Sequence, residues 1–176
     1  MNGVLRIGLI GMGRIGKLHG SNIQSLVKGA EIVCAADPYL DEDKERWAES
    51  VGIARCSRDP EDIFRDPDID AVFICSSTDT HADFIVRAAK AGKDIFCEKP
   101  IAVKVSDINR ALRAVEETGV KLQVGFVRRF DRSHKAVRDA AAYGKIGKVY
   151  VVKVCSRDPE APPMSYVEKL AASSWT

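Results

Sequence analysis

No uncharged apolar run in this chain approaches the roughly 18 residues of a membrane-spanning helix, which excludes a helical membrane protein. The N-terminus lacks a basic segment followed by an apolar stretch and a small-residue cleavage site. No export signal is read, and the protein is expected in the cytoplasm, without a membrane partner. Charge of one sign is also missing: 27 Lys+Arg against 25 Asp+Glu leave a net +2. That is too weak for the basic stripe of a nucleic-acid binder. The three histidines, His19, His81 and His134, are too scattered for a zinc site, so no metal is expected. The five cysteines, Cys34, Cys56, Cys75, Cys97 and Cys155, are odd in number and form no C-x-x-C. They read as reduced, buried small hydrophobes of a cytosolic protein. What is plentiful is apolar mass. Hydrophobic residues make up 45% and charged residues 30% of the 176, the balance of a globular chain with a real core.

Apolar runs alternate with amphipathic stretches from the start. Val4–Ile10, Glu31–Ala36, Ala71–Cys75, Asp94–Cys97 and Lys121–Phe126 read as strands, with Ile53–Cys56 a weaker one. Helical patterns fall between them at Arg14–Val27, Asp41–Ser50, Thr80–Ala91 and Ser106–Thr118. Gly29, Gly92 and Gly119 stand where left-handed caps are expected. Ser106 and Thr80 are candidate N-caps, and Thr80-x-x-Asp83 fits a capping box. Strands apolar throughout, joined by helices, predict an α/β fold: a doubly wound parallel sheet covered on both faces. After Phe126 the pattern changes to a helix, Arg132–Tyr143, then a strongly β run, Lys148–Cys155, and a proline-rich loop, Arg157–Met164. This tail looks like the opening of a second domain that the chain does not complete.

The clearest chemistry sits after the first strand. Gly11-Met12-Gly13-Arg14-Ile15-Gly16 is a G-x-G-x-x-G that follows an apolar strand and opens an amphipathic helix, the context such a motif requires. Gly11 permits the tight turn, Gly13 lets the backbone approach a pyrophosphate, and Gly16 lets helix and strand pack closely. The helix N-terminus offers N–H groups and a positive dipole end to the anion. Arg14, a cation against that dipole, is explained by a phosphate nearby. Asp37 ends the second strand 21 residues after Gly16, where an acid contacts the adenosine ribose hydroxyls. No basic residue follows before Lys44, so NAD is favoured over NADP.

Asp94-Ile-Phe-Cys97-Glu98-Lys99-Pro100 then places a lysine just past the carboxyl end of a buried strand, the edge where open α/β sheets bind ligands. With G-M-G-R-I-G-K-L-H, C-S-S-T-D-T-H and V-G-F-V-R-R-F-D in the same order, the chain resembles the glucose–fructose oxidoreductase/inositol dehydrogenase (Gfo/Idh/MocA) family. The likeness covers residues 4 to 166, and R-R-F-D with Arg157-Asp-Pro-Glu-Ala-Pro162 looks most like its inositol 2-dehydrogenase branch.

That resemblance implies a Rossmann NAD-binding domain over residues 1–127 and the incomplete start of an α+β substrate and oligomerisation domain over 128–176. It implies oxidation of a small polyol or sugar by NAD, and a homo-oligomer (a tetramer for the full-length family member). Lys99 would be the catalytic lysine, polarising the oxidised hydroxyl. Glu98 and Pro100 would shape its loop, with a cis bond before such a proline in this family. Ser76, Thr78, His81 and Glu98 would line the cofactor, and Arg128 or Arg129 would reach the substrate. Ser76-Ser77 stands where many members have Thr-Pro, and His19 is read as structural. Family members also carry an Asp and, four residues on, a His as general acid/base in the substrate domain. No histidine follows His134 here, so the chain reads as truncated or as having lost its chemistry. It is expected to bind NAD without turnover by itself. The rival class is a non-catalytic NAD-binding sensor or scaffold, because fold alone does not specify function.

Overall fold

The computed structural model describes residues 3–155 and 164. Six parallel strands alternate with helices: β1 (Leu5–Ile10), α1 (Arg14–Leu26), β2 (Ala30–Ala36), α2 (Glu42–Ser50), β3 (Cys56–Ser57), α3 (Glu61–Phe64), β4 (Ala71–Ile74), α4 (Thr78–Lys90), β5 (Asp94–Cys97), α5 (Val105–Thr118) and β6 (Leu122–Val124). The spatial order is β3-β2-β1-β4-β5-β6. The chain therefore reverses its direction of travel between β1 and β4, creating the crevice in which doubly wound sheets bind their ligands.

Two apolar layers hold the helices to the sheet. One joins Ile10, Val72, Ile74 and Ile95 to α3, α4 and α5 through Ile63, Ile85, Ala88, Ala89, Ala111 and Ala114. The other joins Ile7, Leu9 and Ile32 to α1 and α2 through Ile23 and Ala48. Each fully buried isoleucine contributes on the order of 2 kcal/mol. Alanines along α4 and α5 let those helices lie close. Asp41 caps α2 by accepting the Lys44 N–H at 2.9 Å, and Gly119, at φ +73°, ends α5.

Several expectations need correction. Helix α4 begins at Thr78, with Ser77 as N-cap, so Thr80-x-x-Asp83 is no capping box, and Lys104 rather than Ser106 caps α5. The weak third strand lies at Cys56–Ser57 rather than Ile53–Cys56. Ile53 is apolar because it packs into the core from a turn, not because it is a strand residue. The run Lys148–Cys155 forms no strand, and Tyr150, Val151, Val152 and Val154 are exposed. A strand needs a neighbour to hydrogen-bond, and β propensity supplies none. Cys155 is exposed and Cys56 half-buried, whereas Cys34, Cys75 and Cys97 are buried; all five are free thiols. The loop expected at Arg157–Met164 lies outside the described residues, Met164 excepted.

The chain divides into two compact units, Met1–Gly125 and Phe126–Thr176. Within the second, a short 3-10 helix (Val127–Arg129) precedes α6 (Arg132–Ala142), which Asp131 caps through the His134 N–H. Among the described residues no helix is long and apolar enough to cross a membrane.

Candidate functional site

Register brings the candidate segments together. Ile10 pairs with Ala36 and Ile74, and Ile74 with Cys97. The glycine turn, Asp37, Ser76 and the Glu98–Pro100 loop therefore leave the sheet side by side at its carboxyl edge.

The three glycines of the turn are required for three different reasons. Gly11 has φ +95°, and a Cβ there would lie 2.6 Å from the Cys75 carbonyl oxygen. Gly16 packs so closely that its Cβ would come 1.8 Å from the Gly11 carbonyl oxygen. Gly13 faces open space, with nothing within 4 Å of a Cβ. Packing demands the outer two but not the middle one, where the backbone stands open to an approaching ligand. Helix α1 begins at Arg14 with no side-chain cap and no acidic residue in its first turn. Its leading N–H groups are thus left for an anion. Arg14 is exposed beside them, Ile15 is half-buried and Met12 fully buried.

Asp37 is buried at the end of β2. Its Oδ2 accepts the Met12 N–H at 2.7 Å and its Oδ1 the Tyr39 N–H at 2.9 Å. The Lys44 ammonium sits 3.8 Å from Oδ1, which the sequence reading did not foresee. The acid that the sequence reading assigns to the ribose therefore also fixes the glycine turn. Each carboxylate oxygen keeps a further lone pair for a hydroxyl donor.

On the β4–α4 turn, Thr80 donates its hydroxyl to the Ser77 carbonyl at 2.8 Å, so Ser76 is the donor in its 2.6 Å bond with Thr80 Oγ1. Thr78 stands at the first position of α4, half-buried. His81, expected to line the cofactor, is only 2% exposed. Its Nε2 lies 3.0 Å from the Ser76 carbonyl and its Nδ1 2.7 Å from the Pro100 carbonyl. Both nitrogens face carbonyl oxygens inside the chain, so the buried ring lies between this turn and the lysine loop and presents no nitrogen to a cofactor.

Lys99 is exposed, and its ammonium has no hydrogen bond or ion pair among the described residues. The Lys99–Pro100 bond is cis. Glu98 turns inward, where its carboxylate meets His19, a residue that sequence reasoning left as structural. Burial and the Glu98 carboxylate together push the Cys97 thiol up to about 12 and raise Cys75 likewise. These thiols are inert lining, not nucleophiles. Arg128 and Arg129 lie exposed in the second unit, and Asp131 bonds His134 rather than either of them.

Comparison with known proteins follows the same lines. The profile of the Gfo/Idh/MocA oxidoreductase family, an NAD-binding Rossmann fold, matches residues 5–126. A myo-inositol 2-dehydrogenase of Thermotoga maritima is 39% identical over 163 residues, covering 93% of this chain and 48% of that protein. An inositol 2-dehydrogenase of Rhizobium meliloti is 45% identical over 167 residues, covering 94% and 49%. The scyllo-inositol dehydrogenase of Lactobacillus casei, solved with NAD(H) and scyllo-inositol, superposes with TM-score 0.77 at 34% identity, over 82% of this chain and 42% of that one. The structure of a "probable dehydrogenase" from Thermotoga maritima reaches TM-score 0.88 at 39% identity, over 94% and 49%. The chain spans about half the length of the curated relatives it matches.

Proposed function

Because the chain belongs to the Gfo/Idh/MocA oxidoreductase family and carries its NAD-binding Rossmann fold, we propose that it forms the cofactor-binding part of an inositol 2-dehydrogenase-type enzyme. The reaction is oxidation of a cyclitol or sugar CH–OH to the ketone. The observation that carries this reading is the open space at Gly13, beside an uncapped helix start and a buried acid. Residues 1–127 serve as the dinucleotide-binding domain, and 128–176 begin a substrate domain.

NAD, when bound, supplies the hydride acceptor; the protein supplies position and charge. Gly11 to Gly16 present backbone N–H groups to the pyrophosphate. Asp37 accepts from the adenosine ribose hydroxyls and repels a 2′-phosphate. Ser76 and Thr78, on the neighbouring turn, flank the nicotinamide half. The Lys99 ammonium, unpaired among the described residues, would hold the substrate hydroxyl oxygen and ease transfer of its proton to a base of the substrate domain. Arg128 or Arg129 is the further candidate for contact with the substrate. The 176-residue chain by itself binds NAD without turning substrate over, since general acid/base help contributes about 10²–10⁴-fold and no histidine follows His134 to provide it.

The test uses that chain. Calorimetric titration with NAD should give a saturable heat, and incubation with NAD and myo-inositol should leave absorbance at the NADH wavelength flat. Absence of NAD binding would sink the proposal, and NADH formation would overturn its second half.

A further inference from the structure

His19 lies on α1, five positions beyond Arg14. Its Nε2 is 2.8 Å from Glu98 Oε1. The contact is sheltered, with the two side chains 23% and 14% exposed. Packing sets where the ring can go. Phe73 and Phe96, on adjacent strands, stack with centroids 4.5 Å apart, and the His19 ring meets Phe96 edge-on at 5.1 Å. On the other side of Glu98 stands Gly125, where a Cβ would lie 3.1 Å from Oε1 and 3.0 Å from the Phe96 ring. The carboxylate is thus held by His19 in a close-packed slot beside Gly125 and Phe96. Its second oxygen, Oε2, accepts the Lys99 N–H at 3.2 Å.

This seat has two consequences for Lys99. The backbone at Lys99 is tied, through Glu98, to the same helix whose first turn opens toward the phosphate site. In addition, an adjacent carboxylate that is free to swing is the natural counter-ion of a lysine. Here Glu98 is occupied by His19, and the Lys99 ammonium remains without an ion pair among the described residues. From the opposite face of the sheet, His81 on α4 holds the Pro100 carbonyl at 2.7 Å. Lys99 therefore stands between two residues anchored by histidines from opposite layers.

We propose that His19 is a positioning residue: by holding Glu98 it fixes the backbone at Lys99 relative to the glycine turn and keeps the carboxylate away from the lysine ammonium. The inference rests on the role given to Lys99 above. Sequence alone did not carry it, because His19 and Glu98 are 79 positions apart.

The experiment compares the 176-residue chain with His19→Phe, which keeps an aromatic ring but removes the donor, and His19→Gln, whose amide nitrogen reaches to a similar depth. Amide hydrogen exchange at Lys99, resolved by NMR, is the readout a purely packing role leaves unchanged. His19→Phe should accelerate it about tenfold, the loss of one charge-assisted hydrogen bond, while His19→Gln stays within about threefold of the parent. Glu98→Gln, which loses the charge and offers a single acceptor oxygen, is the second arm and should accelerate the same exchange even if His19→Phe does not fold. Unchanged exchange in the donor-free or Glu98 variant, or a Gln variant as fast as Phe, overturns the proposal. Calorimetric NAD affinity, expected within about threefold of the parent for the His19 variants, separates this outcome from the functional reading. A parent chain that does not bind NAD refutes the function and leaves the exchange result to decide the role of His19.

Discussion

The Asp37 carboxylate and the Met12 backbone are one unit: Oδ2 accepts the Met12 N–H at 2.7 Å, so the acid after β2 braces the turn after β1. On the proposed role of Asp37, cofactor choice and turn geometry are thereby linked. In Asp37→Ser, NAD affinity should fall about ten- to a hundredfold, the worth of one bidentate charged contact. Adding Pro38→Arg should narrow or invert the preference for NAD over NADP. The double variant should also melt lower than the parent, because the Met12 N–H loses its acceptor. Calorimetry with both dinucleotides checks the first point and thermal unfolding the second; equal affinity of the parent for both cofactors would contradict the assignment.

The glycine turn separates packing from binding. Gly16→Ala drives a methyl group into the Gly11 carbonyl, 1.8 Å away, and should cost about 1–3 kcal/mol of stability as α1 is pushed off β1. Gly13→Ala meets nothing and should cost under about 1 kcal/mol at this N-cap position. Its NAD affinity should nevertheless fall at least tenfold, because the methyl fills the space for the pyrophosphate. Denaturant melts and NAD titrations on the two variants should thus rank them in opposite order.

Much of this was readable in the chain. Strands β1, β2, β4 and β5 are apolar throughout because both their faces are covered, and the spacing from Gly11 to Asp37 follows from one strand–helix–strand unit. What escaped reading depends on contacts distant in sequence. Met12 with Asp37 and His19 with Glu98 are bonds across elements, and no local pattern announces them. The family resemblance assigned His81 to the cofactor; only burial reveals that both its nitrogens point inward. The run at Lys148–Cys155 misled for the opposite reason, since local propensity was strong where no partner strand is present among the described residues.

Thiol chemistry provides an independent check of burial. A thiol with pKa about 12, as at Cys97, is ionised to only about one part in ten thousand at pH 8, and the thiolate is the reactive form. Burial raises Cys34, Cys56 and Cys75 in the same direction, while Cys155 is exposed. Alkylation of the folded chain at pH 8 should therefore label Cys155 first and Cys56 more slowly. Cys34, Cys75 and Cys97 should wait for denaturant. Peptide mass spectrometry resolves the five sites, and fast labelling of Cys97 in the folded protein would contradict its burial.

The role of Lys99 is best separated from binding by Lys99→Met in an enzyme that carries this domain together with a substrate domain. Methionine preserves length and removes the ammonium. Lys99 lies past β5, not at the glycine turn, and its side chain supports no other group among the described residues. NAD affinity should therefore stay within about threefold, whereas kcat should drop by about 10²–10⁴-fold, the range for a positioned proton-transfer group. A fall in kcat and kcat/KM together, with KM for NAD unchanged, is the signature of an interaction made only in the transition state. Lys99→Arg should not restore the rate, because the planar guanidinium neither matches the point charge nor releases a proton readily. Near-normal kcat in Lys99→Met would make Lys99 an ordinary surface residue, and the anchoring of its neighbours by His19 and His81 would then serve only the loop.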